Sequence, residues 1–181
     1  LLQGCSQLTT LTFEPSTDET PLTMGFYDVA DHDGPFYDSP LTTLNLNREI
    51  IYTFGGYDIS SDNEGLFGGK KNLKNVTLGD QVKTLSKRMF AGTGFTSINL
   101  NKVETINDYA LTKTAITALI IPGYATTIGN NVFEKCTSLT SLTFEPSPSD
   151  TPLTIGYYVG SSDDDGPFYD SPLTTLNLNR E

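Results

Sequence analysis

The side chains with the most evident chemistry lie in residues 25–40, which read GFYDVADHDGPFYDSP. This stretch holds the chain's single histidine, His32, with carboxylates at Asp31 and Asp33 on either side of it. Neighbouring carboxylates raise the basicity of an imidazole, so these residue types suit a general base. The stretch could therefore be a catalytic loop, a metal site or neither.

Repetition of the stretch argues against catalysis. Residues 156–172 read GYYVGSSDDDGPFYDSP, and a third version, GYDISSDNEGLF, begins at residue 56. His32 has no counterpart in these versions, because Asp164 and Asn63 stand in its place. The nucleophile, zinc-protease and nucleotide-binding motifs are all missing from the sequence. We therefore expect a protein that is not an enzyme and has no catalytic residue.

Calcium is a minor alternative for residues 161–166, SSDDDG, which offer oxygen ligands at alternate positions before a glycine. In a calcium loop the twelfth position is a bidentate glutamate, but here it is Pro172, and Pro40 is the equivalent in the first version. The other interpretation is a solvated acidic turn whose residues serve turn geometry. We expect no cofactor and no metal, with calcium left open.

The charge of the chain narrows the class of partner. It has 22 acidic and 11 basic residues in 181, a net charge of -11, which argues against nucleic acid or an anionic membrane. Eight of the 11 basic residues lie between Lys70 and Lys113. No apolar run approaches the ~20 residues of a membrane span, so we expect no membrane insertion.

The strongest pattern is an internal repeat, L-x-x-L-x-L with apolar substitutes, which occurs seven times. In the shorter repeats a pair of apolar residues five apart follows, as at Leu85 and Phe90. One repeat supplies about five apolar side chains, which it cannot bury alone, whereas stacked repeats can. The seven copies are Leu8-Leu11-Phe13, Leu41-Leu44-Leu46, Leu73-Val76-Leu78, Phe95-Ile98-Leu100, Ile116-Leu119-Ile121, Leu139-Leu142-Phe144 and Leu173-Leu176-Leu178.

This pattern predicts an α/β solenoid of about seven turns, as one domain over residues 1–181. The L-x-L alternation predicts parallel strands ~4.8 Å apart, with apolar side chains inward. The second segment, as in 125–136, predicts a short strand, a turn and a short helical or 3-10 turn. Outward threonines are expected to stack as a ladder, formed by Thr9, Thr42, Thr96, Thr117, Thr140 and Thr174.

Three repeats carry acidic insertions, at residues 25–36, 56–67 and 156–168. Each begins with glycine and an aromatic residue, carries acids, and closes with glycine and a phenylalanine expected in the core. Loops on a rigid scaffold are common binding sites, so we predict a recognition edge for a cationic protein surface. Decoration that merely seals the core through Phe36 and Phe67 is the alternative. The candidate binding residues are Phe26, Tyr27, Asp28, Asp31, Asp33, Tyr57, Asp58, Asp62, Glu64, Tyr157, Tyr158, Asp163 and Asp165.

The two cysteines are expected to remain unlinked. LLQGC at the N-terminus is similar to a lipoprotein cleavage box, but the match of residues 2–8 to 133–139 makes Cys5 a repeat position. Cys136 has the same phase five turns away, roughly 24 Å by strand spacing. A disulfide needs Cα atoms within about 7 Å.

The segments TSLTSLTF, ATTIGNNVFEKCTSL and KNVTLGDQVKTLSKRMFAGTGFTSINL resemble BspA-like leucine-rich repeats. The resemblance implies a right-handed leucine-rich-repeat solenoid in a bacterial cell-surface or secreted protein. It further implies a binding module for adhesion or recognition of a host extracellular or cell-surface protein, with no shared catalytic residues. An architectural stalk or spacer without a ligand of its own is the second hypothesis.

Neither end of the repeat array has the polar capping repeat that solenoids need for solubility. The sequence therefore predicts a fragment of a longer protein, or an end covered by another chain. Self-association through the solenoid ends follows as a possible partner interaction.

Overall fold

The computed structural model describes residues 4–26, 34–36, 38–54, 62–156 and 166–180. Six of the seven leucine templates form the strands that we call the front strands. These are β1 (Thr10–Phe13), β3 (Thr43–Leu46), β5 (Asn75–Leu78), β8 (Ala118–Ile121), β10 (Ser141–Phe144) and β12 (Thr175–Leu178).

The second segment of each repeat forms another strand, as predicted, and we call these the rear strands. They are β2 (Leu22–Phe26), β4 (Ile50–Phe54), β6 (Thr84–Leu85), β7 (Thr105–Ile106), β9 (Thr127–Ile128) and β11 (Thr154–Ile155).

All the pairings between described strands are parallel. The front strands form two sheets of order β1-β3-β5 and β12-β10-β8, and the rear strands form two of order β2-β4 and β11-β9-β7-β6. Equivalent residues of successive turns lie opposite one another, so that Leu44 faces both Leu11 and Val76. The predicted parallel-strand solenoid is therefore confirmed.

A column of stacked side chains occupies the core at the second apolar position of each turn. The rings of Phe36 and Phe67 are 5.3 Å apart between centroids, and those of Phe67 and Phe90 are 5.8 Å apart. Phe133 and Phe168 stack in the same way at 5.5 Å. Leu111 takes the equivalent position between Phe90 and Phe133, so the same column serves turns with and without an insertion.

The predicted threonine ladder forms in two parts on the exposed face beside the front strands, one at Thr9 and Thr42 and one from Thr117 to Thr174. The hydroxyl of Thr42 donates to the carbonyl of Thr9 at 3.1 Å, and that of Thr140 donates to Thr117 at 3.2 Å. Thr174 donates to Thr140 at 3.1 Å. These bonds tie consecutive turns together outside the core.

The fourth template, at Ile98 and Leu100, does not form the predicted strand. After β3, β5 and β10 the next backbone amide donates to the preceding turn, as Gly79 does to the carbonyl of Leu46 at 2.8 Å. Asn101 has a left-handed backbone (φ 44°), and its amide donates to the Oδ1 of Asn99 instead. Its side-chain amide takes over the bond to Leu78 O. The ladder is therefore interrupted at residues 97–100.

The helical turns predicted in the second segments are mostly turns without helix. The 3-10 segment Asp62–Glu64 is the one helical element among the described residues. In the three turns without an insertion, Arg88, Tyr109 and Asn131 have φ of 54°, 56° and 52°. A left-handed residue at this position cannot continue a right-handed helix.

Both cysteines are free. Cys136 is fully buried, and its Sγ lies 3.1 Å from the carbonyl oxygen of Leu111. Burial raises the pKa of the Cys136 thiol, which disfavours the reactive thiolate. Cys136 is a core residue, as its repeat phase predicts.

Two identical segments show what a neighbouring turn contributes. Residues 34–49 and 166–181 have the same 16-residue sequence, GPFYDSPLTTLNLNRE. Leu44 and Leu46 are fully buried, because β3 lies between β1 and β5. Their counterparts Leu176 and Leu178 are 50% and 66% exposed in β12, which among the described strands pairs with β10 alone.

We predict that Phe67→Ala lowers the free energy of unfolding by about 3–5 kcal/mol, because Phe67 is fully buried between two stacked rings. Phe168→Ala is the matched control, since Phe168 has the same repeat position but is only half-buried and stacks on Phe133. In urea unfolding, Phe168→Ala should lower the free energy of unfolding by half as much as Phe67→Ala or less. Equal losses in the two variants would contradict the stacked column.

Candidate binding site

The first two insertions begin and end side by side. They leave the rear strands β2 and β4, where Phe26 pairs with Phe54 in parallel register. They return to the core at Phe36 and Phe67, whose rings stack. The scaffold therefore holds both ends of the two loops on neighbouring turns.

Most of the predicted binding residues lie outside the described part of the chain, as does His32, and of Phe26 only the backbone is described. Their role in binding stays a prediction. The residues outside the described ranges are Tyr27, Asp28, Asp31, Asp33, Tyr57, Asp58, Tyr157, Tyr158, Asp163 and Asp165.

Asp62 joins the second insertion to the basic middle turns. Its Oδ1 is 2.7 Å from a terminal guanidinium nitrogen of Arg88, and its Oδ2 is 2.8 Å from Nζ of Lys113. The guanidinium of Arg88 also lies over the ring of Tyr109, 4.2 Å from its centroid. One carboxylate, with a side chain 20% exposed, therefore links cations from the next two turns.

Glu64 was predicted to bind at the recognition edge, but the structure buries it. It is 2% exposed, because the 3-10 segment folds inward just before Phe67 enters the core. The hydroxyl of Tyr52 donates to the backbone oxygen of Glu64 at 3.0 Å. Burial, followed by the charge of Glu64, raises the pKa of Tyr52, which keeps this phenol protonated as a donor.

The glycine that closes the second insertion has a steric role. A Cβ on Gly65 would lie 1.8 Å from the carbonyl oxygen of Arg88. Gly68 meets the same constraint, because its Cβ would lie 1.7 Å from the carbonyl oxygen of Asp62. The end of this loop can therefore pack against Asp62 and against Arg88 of the next turn only where side chains are missing.

Within the described ranges, no group of three or more histidine, cysteine, aspartate or glutamate side chains could hold a metal ion. The calcium alternative concerns residues 161–166, of which only Gly166 is described. That alternative is therefore not tested.

The front sheet contains a site that our sequence reasoning missed. Ala118 and Ile120 of β8 point outward, and Ile120 is 56% exposed. A cavity of about 600 Å³ lies against them. The signal was present in the sequence, because the outward positions of the other templates are serine, threonine or asparagine.

We predict that Asp62→Asn lowers the free energy of unfolding by about 1–2 kcal/mol, because it leaves two cations in a partly buried site without their counterion. Raising the salt concentration should narrow the difference from the unaltered protein, since salt screens the lost attraction.

The matched control for this variant is Glu104→Gln. Glu104 and Lys83 lie 3.7 Å apart with both side chains about half exposed, so their pair should contribute less than about 1 kcal/mol. Chemical unfolding of both variants measures the difference. If Asp62→Asn lowers the free energy of unfolding no more than Glu104→Gln does, then the pairs of Asp62 with Arg88 and Lys113 do not stabilise the fold as predicted.

Among curated proteins no significant match is found. The crystal structure of the pneumococcal vaccine antigen PcpA matches with 16% identity and a TM-score of 0.45. That match covers 96% of this chain and 43% of the length of that one. In the described part of the chain, no helix has the length and apolar character needed to cross a membrane.

A profile of the BspA type leucine rich repeat region matches residues 60–159 in six copies. This is more than half of the chain, and it includes the middle turns whose strands and core column are described above. The chain belongs to the family of BspA type leucine-rich-repeat proteins.

Proposed function

We propose that this chain is a cell-surface or secreted binding module that recognises a protein, in adhesion or host recognition, and that it is not an enzyme. Leucine-rich-repeat domains generally mediate protein interactions through extended surfaces. The insertions at 25–36 and 56–67 supply the contact surface in this proposal, and the solenoid supplies a rigid support.

The observation that carries the proposal is that the scaffold does not need the insertions. The turns at 85–90, 106–111 and 128–133 have no insertion, yet Phe90, Leu111 and Phe133 are fully buried in the same column. A turn can therefore fill its place in the column without an insertion, which leaves the extra residues of 25–36 and 56–67 available for another role. Extra loops on a rigid support are a common location of binding residues.

The ligand in this proposal is a cationic protein surface. The first two insertions contain Asp28, Asp31, Asp33 and Asp58. The described ends of the two loops lie on neighbouring turns, and in this proposal the loops share one edge of the solenoid. Complementary charge would increase the rate of association and favour a cationic partner.

The second candidate function is an architectural stalk with no ligand of its own. Asp62 favours it, because this acid of the second insertion pairs with the protein's own Arg88 and Lys113. Phe36 and Phe67 also seal the core at the ends of the loops. In a stalk these internal contacts would be the whole purpose of the insertions.

Shortening the first two insertions to the length of the LSKRMF turn, residues 85–90, separates the two functions. The shortened protein should stay folded, because that turn packs Phe90 into the same column. It should lose at least tenfold in affinity on an array of extracellular-matrix proteins and cationic proteins, if the loops bind. A folded protein that keeps all of its binding would contradict the recognition edge.

A second variant guards against unfolding of the shortened chain. Replacing Asp28, Asp31, Asp33 and Asp58 by asparagine keeps the loop lengths and leaves Asp62 in place. It should lose the same binding while its urea midpoint stays unchanged. If the unaltered protein binds nothing on the array, the stalk is the better account.

A further inference from the structure

The outward side chains of the front sheet follow a rule with one exception. At the two outward positions of the other templates the residues carry a hydroxyl or an amide. They are Thr10 and Thr12, Thr43 and Asn45, Asn75 and Thr77, Ser97 and Asn99, Ser141 and Thr143, and Thr175 and Asn177. In β8 both outward positions are apolar, Ala118 and Ile120. Ile120 is therefore a large apolar side chain exposed among the polar outward side chains of the front strands.

A cleft lies at the same turn. The cavity of about 600 Å³ is lined by both outward residues of β8, and it also reaches Ile98 and Leu119, which otherwise face the core. Ile98 and Asn99, which also line it, lie in the segment 97–100 where the ladder of front strands is interrupted. The exposed apolar row and the break in the sheet therefore form one site, of a size typical for ligand clefts.

Glu145 gives this cleft a charge at a defined place. Thr143 pairs with Ile120 in the parallel register, so Glu145 lies one strand across and two residues further along. Strand geometry puts the Cα atoms of Glu145 and Ile120 about 8 Å apart. One carboxylate oxygen accepts a hydrogen bond from the amide of Gly123 at 3.3 Å. The carboxylate is thereby held at the rim of the cleft, which it lines.

We propose that this cleft binds an extended polypeptide segment with an aliphatic side chain two residues away from a lysine or arginine. In an extended chain, side chains two residues apart are on the same side and about 7 Å apart, which matches the separation of Ile120 and Glu145. The aliphatic side chain packs on Ile98, Ala118 and Ile120, and the cation pairs with Glu145. No aromatic ring lines the described cleft to stack on a sugar, so a glycan fits less well.

This site is separate from the acidic insertions. The residues that line the cleft lie in the front strands β8 and β10 or next to them, whereas the first two insertions follow the rear strands β2 and β4. Shortening those loops should leave the cleft unaffected. Failure of the proposed recognition edge and failure of the cleft can therefore be told apart.

The test is an array of hexapeptides with randomised serine, threonine and alanine spacers around three cores, Leu-x-Lys, Leu-x-Glu and Ala-x-Lys. The unaltered protein should favour the Leu-x-Lys set over each of the others by about tenfold or more, since it uses both the apolar contact and the charge. Binding of the best peptides in solution is then followed by fluorescence anisotropy.

Two variants assign the contacts. Ile120→Thr restores the residue found at Thr12, Thr77 and Thr143, so it should fold normally and lose about tenfold in affinity for Leu-x-Lys. Glu145→Gln should remove the preference for Lys over Glu. Thr77→Ser, at the equivalent outward position of β5, is the matched control and should change nothing.

No enrichment of Leu-x-Lys on the array would overturn the proposal, as would equal binding by Ile120→Thr. Sedimentation velocity tests the competing occupant. Self-association of the unaltered chain that Ile120→Thr abolishes would assign the cleft to a second copy and reject the peptide segment.

Discussion

The structure depends on one constraint, that no turn can bury its own apolar side chains. Each turn contributes a few residues from two short strands, and these are removed from water by the turns on either side. The stacked rings of Phe36, Phe67 and Phe90 show this most directly, because each ring covers the face of the next. The segments 34–49 and 166–181 have the same sequence but different neighbouring strands. Leu44 is buried and its counterpart Leu176 is half exposed, so the neighbouring turns decide the burial.

The residues that repeat in every turn build the stacked core. The residues that depart from the repeat are therefore the candidates for a function. The second insertion is added between two core positions without changing the column, and Gly65 lets its end pack closely against the next turn. The charge pattern links such a departure to the scaffold, since Asp62 of an acidic insertion pairs with Arg88 and Lys113 of the basic middle turns. On the front sheet the departure is in composition, where Ile120 stands in a row of small polar side chains.

The sequence predicted those features that repeat in every turn. Periodicity predicts a feature well because the same residue pattern recurs in many turns. It predicted the parallel strands, the core position of Phe36 and the ladder that begins at Thr9. Features that depend on a single backbone angle did not follow. The left-handed backbone of Asn101 interrupts the front ladder, and left-handed residues such as Arg88 replace the expected helical turns. Burial of Glu64 depends on how one loop folds back, which composition cannot reveal.

Amide hydrogen exchange followed by NMR tests the central constraint most directly, because residues 34–49 and 166–181 have the same sequence and so nearly the same intrinsic exchange rates. If burial comes from neighbouring turns, the Leu44 amide in β3, which has a strand on both sides, should exchange at least about 100-fold more slowly than the Leu176 amide in β12, measured on residues 1–181 at a concentration where the chain is monomeric. Equal exchange rates at Leu44 and Leu176 would contradict the account.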